Sequence, residues 1–199
     1  MKVKLITAPS IEPVSLAELK AHLRLDSGST EDSLLTVIIQ AARERVEDIT
    51  RRALLTQTWE LYLDNFPSVN YIELPFGNLQ SVNSFKYTDS DSVEHTLIEN
   101  TDYLVELNGE GIGRIVLPYN GSYPTVMLNT SNPIVIEFDC GWETSADVPS
   151  KIKSAIKLFC GDLYENRESQ TLKNLSSEAF CDNRTAMLLL ASARLHNVF

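Results

Sequence analysis

The chain has 199 residues, enough to bury one core or a core with a sizeable insertion, and its apolar content of 43% is that of an ordinary globular protein. No stretch reaches the roughly 20 apolar residues of a membrane helix, and the start, MKVKLITAPSIEP, lacks an apolar run of signal-peptide length, so we expect cytoplasmic synthesis and no membrane contact. The net charge of −10 resides in residues 54–147, where 14 acidic and 2 basic side chains argue against tight, sequence-specific DNA binding.

Two helices are predicted near the start of the chain. Ser15 and Glu18 have the spacing of a capping box, and three leucines follow on one face of a short helix that closes by Gly28. A second helix is expected to begin near Ser29 or Thr30 and to reach Ala53. Its apolar residues repeat at helical spacing, carboxylates lie in its first turn, and arginines lie at its end.

The middle of the chain alternates with a period of two, which is typical of strands with one buried face. In QTWELYL, Trp59, Leu61 and Leu63 alternate with polar or amphipathic residues. Turn-forming residues separate the further strand candidates, which are Tyr71–Leu74, Val82–Tyr87, His95–Ile98, Tyr103–Leu107, Arg114–Leu117, Val126–Leu128 and Ile134–Asp139. The pattern predicts an antiparallel β unit.

Helical spacing returns after Asp147. A third helix is expected from Pro149, a polar loop over Glu168–Glu178, and a last helix after Asp182 or Asn183. The predicted class is α+β: about four helices from both chain ends form a helical core, residues 1–54 and 148–199, into which an acidic antiparallel β unit, residues 55–147, is inserted.

The chemical motifs of the chain are better explained by structure than by catalysis. GEGIGR, ending at Arg114, leads into a strand and not a helix, so it is expected to be a hairpin turn and not a phosphate loop. The three histidines are far apart, and the three cysteines, Cys140, Cys160 and Cys181, are too widely spaced for a zinc site or a disulfide framework. We expect no metal, no cofactor and no catalytic residue.

Three segments together resemble the head-tail connector proteins, also called adaptor or DNA-packaging proteins, of tailed bacteriophages. They are PVSLAELKAHLRLD, the long helical stretch ending AARERVEDITRRALLTQTWEL, and VPSKIKSAIKLFCGDLYENRE. A LPFGNLQSV segment in the β unit has the expected place. The resemblance lies in the order and spacing of these segments over most of the chain.

The resemblance implies a structural virion protein at the head-tail junction of a phage or prophage. It would form a closed ring of about a dozen copies beneath the portal protein. A stopper or tail protein would dock on the far side, and double-stranded DNA would pass through the hole without sequence-specific contacts.

A closed ring needs contacts between two unlike faces of each copy. The second helix offers opposite charges at its two ends, Glu31 and Asp32 at the start and Arg51 and Arg52 at the end. We therefore predict that these four residues contribute to the contact between copies. Which surface lines the hole stays open, because the acidic β unit and the basic C-terminal part are both candidates.

Two other classes of function stay open. One is a tail-completion protein or acidic interaction module, including a DNA mimic. The other is a hydrolase that uses paired carboxylates of the β unit for acid-base catalysis.

Overall fold

A computed structural model describes residues 2–26, 28, 30–166 and 183–195, and these residues form an α+β fold, as predicted. The four helices of the described residues are α1 (Leu16–Leu23), α2 (Asp32–Thr50), α3 (Ser150–Glu165) and α4 (Arg184–Ala191). The eight strands are β1 (Lys2–Thr7), β2 (Gln57–Leu63), β3 (Tyr71–Leu74), β4 (Leu79–Thr88), β5 (Glu94–Leu97), β6 (Leu104–Glu106), β7 (Gly113–Val116) and β8 (Ile134–Cys140). The predicted loop Glu168–Glu178 lies outside the described residues, as does Cys181.

The first two helices form for local reasons that the sequence already shows. The Ser15 hydroxyl accepts from the Glu18 amide at 3.2 Å, and the Glu18 carboxylate accepts from the Ser15 amide at 2.8 Å, which completes the predicted capping box. The second helix is shorter than predicted. It ends at Thr50 and not at Ala53, because Arg51 adopts a left-handed backbone conformation with φ 55°.

The four helices share one buried cluster. It includes Leu19 of α1, Leu35 and Val46 of α2, Phe159 of α3 and Leu190 of α4, all fully buried or nearly so. The apolar stripes predicted from helical spacing therefore face one another. Both ends of the chain contribute to this cluster, in agreement with the predicted helical core.

The strands form two antiparallel sheets. The larger sheet has the order β1-β2-β8-β4-β5 and the smaller one the order β3-β7-β6. Each neighbouring pair of named strands is antiparallel. The turn GEGIGR connects β6 to β7, its antiparallel partner, so the predicted hairpin is confirmed.

A second buried cluster fills the space that these sheets cover. Its fully buried members include Leu61, Phe85, Ile115, Ile136 and Phe138. The register places one apolar row across the whole larger sheet, consisting of Val3, Leu61, Ile136, Phe85 and Leu97.

The structure corrects two strand predictions. Strand β1 was not predicted, and it pairs with β2 at the edge of the larger sheet although it lies in the N-terminal part of the chain. The segment Val126–Leu128 is not a strand, since it makes only a single bridge, between Leu128 and Asp89.

The division into a discontinuous helical core and an inserted β unit stays a proposal. The presence of two separate buried clusters supports this division. Strand β1 departs from it, because β1 belongs to residues 1–54 but pairs with the larger sheet.

Candidate subunit interface

The acidic start of α2 is tied to neighbouring helices of the same chain. The Glu31 carboxylate accepts a hydrogen bond from the Tyr164 hydroxyl of α3 at 2.6 Å. Asp32 forms an ion pair with Lys20 of α1, with 2.5 Å between Oδ1 and Nζ. These contacts join α1, α2 and α3 at one end, so both predicted interface acids already have partners within the chain.

The basic end of α2 contains one exposed and one engaged arginine. Arg51 is exposed. Arg52 is half-buried and donates from Nε to the Ala193 carbonyl and from Nη1 to the Glu110 carbonyl, each at 2.5 Å. Burial lowers the pKa of Arg52, and the nearby Glu110 carboxylate opposes this shift. Arg52 thus connects the end of α2 to the β6–β7 hairpin and to the segment after α4.

The structure brings the four predicted residues together in two pairs, one at each end of α2. A helix of 19 residues separates the pairs by about 28 Å. The contact between such ends in neighbouring copies stays a prediction. Of the four side chains, Arg51 is the one most available for it.

A charged network that the sequence did not indicate lies beside α2. The buried Arg43 guanidinium bonds the Glu12 carboxylate at 2.9 Å and the Glu47 carboxylate at 2.6 Å. Glu47 also accepts from the Leu54 amide at 2.9 Å and from the Gln57 side chain at 2.5 Å. The network fastens the N-terminal segment and the start of β2 to α2. Its residues look like a solvated helix face in the sequence, because the partners are 4 to 31 positions away.

A cleft of about 310 Å³ opens next to this network. Leu5 of β1, Trp59 of β2 and Phe76 line its apolar side, and Glu44 and Asp48 of α2 line its acidic side. The Trp59 and Phe76 rings are 4.3 Å apart. The buried Trp59 Nε1 has no hydrogen-bond partner among the described residues. The cleft therefore combines an apolar wall with negative charge at the edge of the sheet.

The two edges of the larger sheet are open among the described residues. All six residues of β1 are exposed, including Val3, Leu5 and Ile6. At the other edge, β5 pairs with β4 alone. The alternation of lysine and apolar residues in KVKLIT is the signal that could have identified β1 as a strand.

Histidine and acidic side chains of the β unit, which could in principle act in catalysis, bind other side chains of the fold. The His95 ring lies 2.7 Å from the Asp89 carboxylate and stacks on Tyr87. Glu106 is paired with Arg114 across the β6–β7 hairpin at 2.7 Å. Across the described part of the chain, no group of histidine, cysteine and acidic side chains is arranged to hold a metal ion. Its helices are also too short or too polar to cross a bilayer.

Residues 13–105 match the model of the phage gp6-like head-tail connector protein family. Among curated proteins, none matches the chain.

Solved chains with the same fold come from gene transfer agent (GTA) particles. A chain from the neck of an empty GTA particle, computed with C6 symmetry, has a TM-score of 0.79 and 22% identity, covering 100% of this chain and 98% of that one. A chain from the native GTA virion has a TM-score of 0.78 and 22% identity with the same coverage. A chain from the neck of the native particle, computed with C12 symmetry, has a TM-score of 0.74 and 20% identity, again over 100% and 98% of the two chains. These likenesses show a shared fold over the full length. The match to the phage gp6-like head-tail connector family covers residues 13–105, a little under half of the chain.

Proposed function

We propose that this protein is a structural head-tail connector of a tailed phage or prophage, which forms a ring beneath the portal protein in the virion. The observation that carries the proposal is the match of residues 13–105 to the connector family. The fold supports it, because it is shared over the whole chain with a neck protein of a particle computed with C12 symmetry.

Ring formation is the central physical requirement of this function. Copies related by rotation must meet through two unlike faces, and the rotation must close after a fixed number of copies. The chain offers unlike faces in two places. The ends of α2 differ in charge, and the two open edges of the larger sheet belong to different strands.

The passage of DNA sets the second requirement. A wall rich in lysine and arginine would bind phosphates through counterion release and retain the DNA. The β unit has 14 acidic and 2 basic side chains, so a hole lined by it would repel phosphates and let the duplex slide. The proposed partners are the portal protein on one side and a stopper or tail protein on the other.

The protein acts by assembly and not by catalysis in this proposal. Acids of the β unit support this view where they are engaged in structural contacts, such as Glu106 with Arg114 and Asp139 with Thr58. A carboxylate pair for hydrolysis needs one acid that faces a substrate cleft with a raised pKa. Among the described residues, the carboxylates with a raised pKa are Glu12 and Glu47 of the N-terminal part of the chain. Glu47 lines the cleft beside α2, but both carboxylates are bound to Arg43.

Electron microscopy of the protein mixed with its cognate portal tests the proposal. We expect rings of about a dozen copies attached to one side of the portal, with an open central hole. Rings of six that bind only to tail tubes would favour a tail-completion protein. Failure to form any ring on the portal would overturn the proposal.

A further inference from the structure

We propose that neighbouring copies join their larger sheets edge to edge, so that β1 of one copy pairs with β5 of the next. This inference rests on the proposed ring and names the contact that closes it. Both strands end their sheet, and no other described segment makes main-chain hydrogen bonds to their outer sides. An exposed strand edge is a template for pairing with another chain.

The direction of the strands fits a ring. Each neighbouring pair in the order β1-β2-β8-β4-β5 is antiparallel, so the first and fifth strands run in the same direction. A rotation about an axis close to the strand direction leaves that direction unchanged. The contact between copies is therefore a parallel strand pair. The long crossover that parallel strands need within one chain is not required between two chains.

The apolar row of the larger sheet also continues from one copy to the next across the proposed contact. Val3 and Leu97 are the two ends of the apolar row, whose inner members Leu61, Ile136 and Phe85 are fully buried. The two end residues are not fully buried, since Val3 is 41% exposed and Leu97 is half-buried. Joining β1 to β5 places Val3 beside Leu97 of the next copy, so the row becomes continuous and both ends lose exposure to water.

The charges of the two edge strands also favour the pairing of β1 with β5. Lys2 and Lys4 give β1 two positive charges and no negative one. Strand β5 and its flanking turns, residues 89–102, hold five acids and no lysine or arginine. The acids are Asp89, Asp91, Glu94, Glu99 and Asp102, of which Glu94 is paired with Lys86 of β4. Pairing β1 with a second β1 would bring lysines together, whereas pairing β1 with β5 brings opposite charges together. The contact is therefore head-to-tail.

Lysines on an edge strand oppose pairing with a like-charged edge, and inward-pointing charges oppose pairing with any edge. Inward-pointing lysines are not found in β1. Lys2 and Lys4 lie opposite Tyr62 and Glu60 on the polar face, whereas the exposed Val3 and Leu5 lie opposite Leu61 and Trp59 on the other face. The lysines therefore oppose pairing with a second β1 and leave the edge able to pair with the acidic β5.

A ring built by this contact has a diameter that leaves room for a central hole, as a connector requires. Five strands at a spacing of about 4.8 Å span about 24 Å per copy, so a dozen copies give a wall about 290 Å around and about 90 Å across. This width leaves a central hole after a second layer about 10 Å away is added on the inner side.

Disulfide crosslinking tests the contact in the assembled ring. The protein carries Cys181→Ser, together with Val3→Cys and Leu97→Cys. Within one copy these two positions are four strand spacings apart, about 19 Å, which excludes a disulfide inside the chain. Between copies a strand spacing of about 4.8 Å lies in the range that disulfides bridge. Mild oxidation should give a ladder up to the full ring on a nonreducing gel.

The matched control replaces Leu97→Cys by Leu104→Cys, on the edge strand β6 of the smaller sheet. Leu104 and Val3 are equally exposed, at 41%, so the control has a similar accessible thiol and should give no ladder. A ladder from Leu5→Cys with Leu97→Cys would also support the pairing, with the register shifted by two residues.

Rings without a ladder in either pair would overturn the edge contact and leave the proposed connector function standing. If folded protein forms no ring on its portal, as checked by circular dichroism and microscopy, the proposed function and this contact fall together.

Discussion

Arg52 and Glu110 are joined across 58 positions of the sequence, with 2.5 Å between the Arg52 Nη1 and the Glu110 carbonyl oxygen. The same guanidinium donates to Ala193, so one side chain connects α2, the β6–β7 hairpin and the segment after α4. Since the two buried clusters of the chain are separate, Arg52 is a main polar link between the helices and the sheets.

Arg52→Met should therefore destabilise the protein by about 2 kcal/mol or more, because two carbonyl groups lose a charged donor. Urea unfolding measures the free energy of unfolding. Arg51→Met is the control, since an exposed side chain at the next position should change stability by less than about 0.5 kcal/mol. Equal effects of the two variants would contradict the role given to Arg52.

Arg51→Glu tests the predicted contact between the ends of α2 in neighbouring copies. We expect an unchanged melting temperature for the free protein. Ring formation on the portal should be weaker, because each contact loses an ion pair worth up to about 1 kcal/mol and gains a repulsion. Light scattering and electron microscopy measure the assembled fraction. Full assembly of this variant at all protein concentrations would remove Arg51 from the interface.

The pH dependence of stability should contain a contribution from the capping box of α1. Hydrogen bonds from the main chain and side chain of Ser15 lower the pKa of Glu18 below its usual 4.5. A carboxylate with a lowered folded pKa contributes stability that is fully present above 4.5 and is lost as the pH falls through the folded value. Urea unfolding between pH 3 and pH 6 should show this loss.

Glu18→Gln is the matched variant, because glutamine retains the box without a titrating group. Its stability should fall less than that of the unchanged protein as the pH drops below 4.5. Ser15→Ala should cost about 1 kcal/mol at neutral pH through loss of the cap. Identical pH profiles for Glu18→Gln and the unchanged protein would show that this carboxylate is not linked to folding.

The sequence predicted the elements whose signals are local. The α1 cap, the bounds of β2 and β3, and the fold class follow from spacing and turn residues within a few positions. The end of α2 was missed because Arg51 takes the left-handed conformation, which arginine rarely adopts and which no nearby glycine announces. Val126–Leu128 has strand-like composition, but it makes only one bridge, between Leu128 and Asp89, which follows the end of β4.

The candidate site could be predicted less well, because it depends on pairs that are distant in sequence. The partners of Glu31 and Arg52 are Tyr164 and Ala193, each more than 130 positions away. No periodicity reports such pairs. The alternating lysines of β1 are a local signal for a strand. Its position at one edge of the larger sheet, with β5 at the other edge, is known only from the strand order.

Gly141→Ala should destabilise the junction between sheets and helices by about 3 kcal/mol or more. Gly141 has φ +110°, where L side chains are strained, and an added Cβ would lie 2.2 Å from the Leu55 carbonyl oxygen. Gly28→Ala is the control, since nothing lies within 4 Å of its added Cβ. Thermal unfolding compares the two, and a melting temperature for Gly141→Ala equal to that of the control would contradict the close approach.

The thiols of Cys140 and Cys160 should react with an aromatic disulfide reagent only after the chain opens. Both are fully buried, and burial raises the pKa of Cys160 to about 12 and that of Cys140 further. A thiol with such a pKa has almost no thiolate at pH 8, whereas a cysteine in the unfolded chain titrates near 8.5.

In the Cys181→Ser variant, we expect no labelling of the folded protein within minutes and two equivalents in 8 M urea. Cys160 lies between α3 and α2, with its sulfur 3.9 Å from the Ile38 carbonyl oxygen, so its labelling rate reports separation of these helices. Arg52→Met should raise the labelling rate of both cysteines by about tenfold for each 1.4 kcal/mol of stability that it removes. Fast labelling of Cys160 alone in the unchanged protein would mean that α3 detaches from α2 without unfolding of the sheets.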